Sequence, residues 1–315
     1  MIIWPNERVC VTGGAGFLGQ TVCRVLAERG LPPEQLVVPR SREFDLTRES
    51  DVERLYAAAR PTVLIHLAAE SGGIGANMEQ PGRFFYANMA MGLHLIEHAR
   101  RRELKRFVQI GTVCAYPERT PAPFREESLH HGYPEPTNAP YGIAKRSLGV
   151  MLDAYRRQYG LRSVHVMPGN LYGPGDDFDP GTSHVIAALI DRIEQARRDG
   201  AESVQCWGSG TVTRDFLYVD DAAEGIVRAA ERVETPEPIN LGTGRETTIR
   251  EIAELIRVEC GYDGFLDWDI SRPDGQPRRC LDITLAVELL DWRPRVSLEE
   301  GLRRTIAWRR ANPLL

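Results

Sequence analysis

Seven residues, Gly13-Gly14-Ala15-Gly16-Phe17-Leu18-Gly19, join a short β-branched stretch, Arg8 to Thr12, to a helical pattern over Phe17 to Arg29. A glycine-rich turn in that position lets the backbone bend sharply and leaves the first N–H groups of the helix pointing at whatever lies before them. An anion fits there, and in a strand–turn–helix unit the usual anion is the pyrophosphate of a dinucleotide. Gly13, Gly16, Phe17, Leu18 and Gly19 are therefore candidate cofactor contacts. The turn also places the site at the carboxyl edge of a parallel sheet.

The chain around this turn repeats the same grammar. Apolar runs at Gln35 to Val38, Thr62 to Leu67, Arg106 to Ile110 and Ser163 to Met167 read as strands. Between them, Ser50 to Ala59, Phe84 to Arg102 and Tyr141 to Tyr159 carry apolar residues at every third or fourth position, the helical period. Strands alternating with helices predict an α/β fold, a Rossmann-type doubly wound parallel sheet with right-handed crossovers. After Pro168 the texture changes to loops rich in Gly, Pro and Asp, then a helix near Ser183 to Arg198. We expect residues 1–168 to form the dinucleotide-binding domain. A smaller, discontinuous substrate domain is expected from 169–215 and 243–315, with 216–242 returning to the sheet.

Composition narrows the partners. The 315 residues include 39 Lys+Arg against 44 Asp+Glu, a formal charge of −5, which disfavours a nucleic-acid partner but leaves room for a local phosphate site. No apolar run reaches the length of a membrane span, and the opening residues lack the pattern of a signal peptide, so a cytoplasmic protein with no membrane partner is expected. The six cysteines, Cys10, Cys23, Cys114, Cys206, Cys260 and Cys280, show no metal-ligand or disulfide spacing, and no metal site is expected.

Two segments carry the chemistry. At the end of the second strand, where an acid would hold a ribose hydroxyl and an arginine a 2′-phosphate, the sequence reads Pro39-Arg40-Ser41-Arg42. Arg40 and Arg42 point to NADP, with NAD still possible; Asp45 either faces the adenine amine or caps a helix. Leu46 beside it, Leu67 at the end of the third strand, and Ala68 and Ala69 after it complete the candidate cofactor contacts. Further on, Tyr141 and Lys145 form a YxxxK whose two side chains share one helix face. An ammonium beside a phenol tunes it for proton transfer. Thr112, at the end of the fourth strand, can offer a hydroxyl to the same carbonyl oxygen.

Together with GGIGAN at 72–77, GTVCAYP at 111–117, NLYGPGDDF at 170–178, SHVIAAL at 183–189, WGSGTVTRDFLYVDD at 207–221 and RPDGQPRRCLD at 272–282, these motifs span nearly the whole chain. The chain resembles the extended short-chain dehydrogenase/reductases, the NAD-dependent epimerase/dehydratase family, and within it the branch that epimerises and reduces GDP-linked 4-keto-6-deoxy sugars. The resemblance implies that Thr112, Tyr141 and Lys145 are catalytic, that Cys114 and His184 are the base and acid of proton exchange beside the keto group, and that Asn170, Arg192, Trp207, Arg214 and Arg279 bind a nucleoside-diphosphate sugar. It also implies a homodimer packed through helices of the sheet domain. Two departures keep a second reading open. Ala15 stands where that branch carries a basic residue, and Glu70-Ser71 is similar to nucleotide-sugar dehydratases. An NAD-dependent nucleotide-sugar epimerase with no net redox change would suit both.

Overall fold

The computed structural model describes residues 2–272 and 274–313. In chain order the elements of the first half are β1 (Val9–Thr12), α1 (Phe17–Glu28), β2 (Leu36–Val37), α2 (Glu49–Ala59), β3 (Val63–His66), α3 (Ile74–Glu79), α4 (Pro81–Arg101), β4 (Arg106–Ile110), α5 (Ala139–Tyr159) and β5 (Ser163–Pro168). They continue with β6 (Asn170–Tyr172), α6 (Val185–Asp199), β7 (Ser203–Trp207), β8 (Thr213–Arg214), β9 (Phe216–Tyr218), α7 (Val219–Arg232), β10 (Pro238–Leu241), β11 (Thr247–Thr248), α8 (Ile249–Cys260), β12 (Phe265–Asp269), α9 (Thr284–Leu290) and α10 (Leu298–Ala311).

Six strands form one sheet in the order β10-β5-β4-β3-β1-β2, every pair parallel. This is the doubly wound α/β architecture that the alternation predicts. Its strands alternate between two buried faces, as a covered parallel sheet requires. Val9, Val11, Val63, Ile65, Val108 and Val166 pack with α1 and α7 through Val22, Leu26, Ala223 and Ile226. Cys10, Leu64 and Phe107 face the other way, onto Leu55 of α2, Leu95 of α4 and Leu148 of α5.

A second cluster lies outside the sheet, where Ile186, Ile190 and Ile193 of α6 meet Ile252 and Ile256 of α8 and Leu302 and Ile306 of α10. The segment expected to return to the sheet divides its loyalties. Helix α7 packs on the sheet and β10 joins its edge, but β9 pairs with β6 in a separate two-stranded ribbon. Helix α9 also packs on the sheet core, through Ala286, Leu290 and nearby Trp292.

One buried carboxylate ties these parts together. Asp215, between β8 and β9, accepts from the N–H and hydroxyl of Thr243 at 2.8 and 2.6 Å and from the N–H groups of Gly244 and Leu281, both at 3.2 Å. Replacing Asp215 with Ala orphans these donors inside the protein. We expect a loss of about 3 kcal/mol, read as a lower urea midpoint, and a smaller loss for Asp215→Asn, which keeps one acceptor oxygen.

Candidate active site

The strands of the sheet all end at one edge, and a cavity of about 490 Å³ opens there between the sheet and the second cluster. Thr112, Cys114, Tyr141, Lys145 and His184 all line it, as do Asn170, Arg192, Trp207, Arg214 and Arg279. Of the expected cofactor contacts, Phe17, Leu18, Leu67 and Ala69 reach the same space.

The glycine turn is shaped by close backbone approach. Gly13 adopts φ +72°, and a Cβ there would lie 2.7 Å from the backbone N of Ala68. A Cβ on Gly19 would press into the Gly13 carbonyl. Gly16 caps α1 without any side-chain hydrogen bond, so the first-turn N–H groups remain open to an anion. Lys145 adds a second indication: it is only 2% exposed, and no acceptor among the described residues takes a hydrogen bond from its Nζ. A buried ammonium beside an uncapped helix end suits the sugar hydroxyls and pyrophosphate of a dinucleotide. The residues present fit that cofactor.

The second-strand segment lies apart from the cavity. Arg40 and Arg42 are exposed on the loop beyond β2, Arg42 with 82% of its side chain accessible and Glu43 3.6 Å away. Asp45 accepts from the N–H and hydroxyl of Thr47 at 3.0 and 2.7 Å, a local turn before α2, and Leu46 is buried behind it. Glu70 is engaged by Arg83 of α4, at 2.6 and 3.3 Å.

Burial sets the acid–base character of the cavity. It pushes the Tyr141 phenol well above its usual pKa, Cys114 adds to the rise, and a hydrogen bond with Thr112 opposes it. Burial lowers Lys145 to about 8. The pKa of His184 is likewise lowered by desolvation, with Asp177 opposing. Cys114 takes a guanidinium N–H from Arg279 at 3.4 Å, and its own backbone N–H donates to Thr112 Oγ1 at 3.2 Å. Arg214 is held by three carbonyls, those of Thr213, Gln276 and Asp274, at 2.8, 2.7 and 3.2 Å, with its pKa lowered to about 9 by burial and by Arg279. Arg192 stacks 5.2 Å from the ring centre of Trp207.

Two lining residues, Asp176 and Trp268, and one that supports the lining, Gln276, escape sequence reasoning. Asp176 is a buried carboxyl raised to about 7 by burial, against the pull of the Asp177 N–H. Trp268 of β12 sits beside Cys206 in register and carries Arg250 4.6 Å over its ring. Gln276 positions Arg279 by accepting from its Nε at 2.8 Å. Only the DD pair and the aromatic in FLDWD give any local signal for these, and neither indicates which way its side chain faces.

A glycine turn on a parallel sheet and a Thr–Tyr–Lys set lining one cavity define an NAD(P)-dependent enzyme of the short-chain type. Residues 9–242 match the NAD dependent epimerase/dehydratase family. The chain is 40% identical over 303 residues to GDP-L-fucose synthase 1 of Arabidopsis thaliana, covering 96% of this chain and 93% of that protein. It is 39% identical over 312 residues to GDP-L-fucose synthase of Escherichia coli strain K12, covering 96% of each. Among solved structures, a GDP-L-fucose synthetase of Naegleria fowleri bound to NADP superposes with a TM-score of 0.90 at 26% identity, over 99% of this chain and 95% of that one. The chain belongs to the NAD dependent epimerase/dehydratase family.

A direct check of the turn is Gly19→Ala. The added methyl meets the Gly13 carbonyl, which cannot retreat without moving β1. Overpacking of this kind costs about 1–3 kcal/mol, and dinucleotide affinity, measured by fluorescence quenching, is expected to fall at least tenfold.

Proposed function

We propose that this enzyme takes a GDP-linked 4-keto-6-deoxyhexose, exchanges protons at C3 and C5, and reduces C4 with NADPH. The supporting observation is that two separate acid–base sets line one cavity. Thr112, Tyr141 and Lys145 suit a carbonyl oxygen, while Cys114 and His184 suit the acidic C–H bonds beside it. Reduction or epimerisation at C4 alone needs only the first set.

A 4-keto group acidifies the neighbouring hydrogens, so the enolate oxygen must be held while a base works on carbon. Thr112 and Tyr141 supply the hydroxyls for that oxygen. Cys114 acts as the thiolate base, its charge stabilised by the N–H of Arg279. His184 gives a proton to the opposite face as an imidazolium, leaving a neutral ring, and its lowered pKa makes that imidazolium a readier donor. Bound NADPH supplies the hydride to C4. Tyr141, kept protonated by burial, gives its proton to the developing alkoxide, and the Lys145 ammonium steadies the phenolate left behind. Arg192, Arg214 and Asn170 are assigned to the diphosphate and sugar, and Trp207 to the base. In this reading residues 1–168 with 216–242 serve the cofactor, and 169–215 with 243–315 serve the nucleotide sugar.

The protein is read as a cytoplasmic homodimer. NADPH and nucleotide sugars are supplied in the cytoplasm, and all six cysteines are free thiols, as a reducing compartment favours. Phe85, Tyr86 and Leu93 of α4 and Val150 of α5 are exposed apolar residues on adjoining helices, a face suited to a second copy. Ala15, in place of a basic side chain, supports the second reading, an NAD-holding epimerase without net redox change.

Incubation with GDP-4-keto-6-deoxymannose and NADPH is expected to consume the nicotinamide absorbance, and in D₂O to place deuterium at C3 and C5. Turnover without added cofactor, on tightly held NAD and with no deuterium uptake, would establish the second reading instead. Tyr141→Phe is expected to lower kcat by about 10²–10⁴, and Cys114→Ser to suppress the deuterium exchange. Since Lys145 titrates near 8 and acts as the ammonium, kcat/KM should fall as pH rises above about 8.

A further inference from the structure

Four polar side chains lie in one line across the interior of the sheet. Register pairs Thr12 with His66, His66 with Gln109, and Gln109 with His165. They share the face of Cys10, Leu64 and Phe107, two residues further along each strand, which packs against α4 and α5. None of the four is more than 1% exposed. Strands covered on both faces are ordinarily apolar throughout, so such a row calls for a reason.

Half of the row satisfies itself. Thr12 Oγ1 and His66 Nδ1 are 2.8 Å apart, and Gln109 gives an amide N–H to the Ile110 carbonyl at 2.8 Å. Gln109 Oε1 and His165 Nε2 have no hydrogen-bond partner among the described residues. The ring of His165 is tightly placed. A Cβ on Gly111 would lie 2.8 Å from Nε2, and one on Gly149 would lie 2.6 Å from Nδ1. Gly111 follows β4 at the carboxyl edge, so Nε2 points up the sheet toward the catalytic edge. Gly149 is one helical turn beyond Lys145 on α5. Lys145 is also the charged group that bears on both His66 and His165.

We propose that Gln109 and His165 hold an internal water that donates one hydrogen to Gln109 Oε1 and the other to His165 Nε2, and accepts an N–H from Lys145. Two orphaned acceptors and one ammonium donor are the complement of a water's two hydrogens and a lone pair. In this arrangement His165 carries its proton on Nδ1. Both residues are positioning residues: they act through Lys145, orienting the ammonium and keeping it charged. The other groups around it do not perform that task. Tyr141 precedes it by one turn on α5, His66 faces it from β3, Cys114 bears on Tyr141 from the turn after β4, and His130 bears on His165. None of these is a carboxylate, so the dipole of the water offsets the burial of the cation.

The composition makes this measurable. Only two of the 39 basic residues are lysines, Lys105 and Lys145. Protein labelled with ¹³C,¹⁵N-lysine therefore shows two side-chain signals, and Lys105→Arg assigns them. Removing an acceptor disfavours the charged form, so Gln109→Leu and His165→Leu should each lower the Lys145 midpoint by about one pH unit. The basic limb of kcat/KM should move down with it, while Gln109→Glu, which keeps an acceptor, should hold the midpoint at or above that of the wild type. An unmoved midpoint in either leucine variant that retains the native circular dichroism overturns the water site; two separate variants guard against one failing to fold. The inference rests on reading Lys145 as the partner of Tyr141, but the titration needs no substrate. Absence of turnover with the keto sugar would count against the proposed reaction, and an unmoved midpoint against the water.

Discussion

The geometry of the cavity depends on Asp215. Its carboxylate gathers the turn after β10 and the strand-like segment at Leu281, while its backbone carbonyl accepts from the N–H and side-chain amide of Asn170, at 3.1 and 3.0 Å. Asn170, Arg214 and Arg279 are each within two residues of a group that Asp215 or its partners hold. A carboxylate buried this deeply is costly unless its oxygens are satisfied. Burial raises its pKa, and the donors of Thr243, Leu281 and Gly244 pull it back. The hydrogen bonds to its carboxylate and to its carbonyl explain how three cavity-lining side chains from distant parts of the chain come to one wall.

Within that wall, low dielectric shapes the acid–base groups more than any one neighbour does. Burial is the largest influence on Tyr141, Lys145 and His184 alike, raising the acid and lowering the two bases. The result is a protonated phenol, a lysine that can change charge near neutrality and an imidazolium that releases its proton readily. The choice of residue type agrees. Arginine provides 37 of the 39 cations, and it ordinarily keeps its charge through neutrality. Lysine occurs where a cation able to release its proton belongs, at position 145, and otherwise only at Lys105, which pairs with Glu7.

The sheet and its crossovers were legible because each strand and helix carries its own period. The predicted Arg106 to Ile110 strand is β4 as it stands, and most other boundaries differ by one to three residues. The pairing of β9 with β6 and the docking of α9 on the sheet were not legible, since both depend on partners more than 40 residues away. The same distinction runs through the site. Gly13 to Gly19 and the Tyr141/Lys145 pair are local patterns, and their placement around the cavity follows from the elements that carry them. Trp268 and Gln276 matter only through cross-strand register and a loop contact, which no local spacing reports. The buried row from Thr12 to His165 is spread over four strands, one polar residue in each, and becomes visible only when the strands are aligned.

On the proposed function, the loop beyond β2 would separate cofactor choice from chemistry. Arg40 and Arg42 stand in solvent, outside the cavity that holds Tyr141 and Lys145. A charge–phosphate contact in water is screened and contributes modestly, whereas the same contact in a closed site would hold its ligand for long periods. A reductase must exchange its dinucleotide at every turnover, and an epimerase that returns its hydride gains by keeping it. On that proposal an exposed arginine pair would meet the adenosine end, with the firmest features confined to the glycine turn and Lys145, an arrangement that suits exchange. Within the proposed function, reduction is then favoured over hydride return at the opposite end of the cofactor from the reacting carbon, independently of Cys114 and His184.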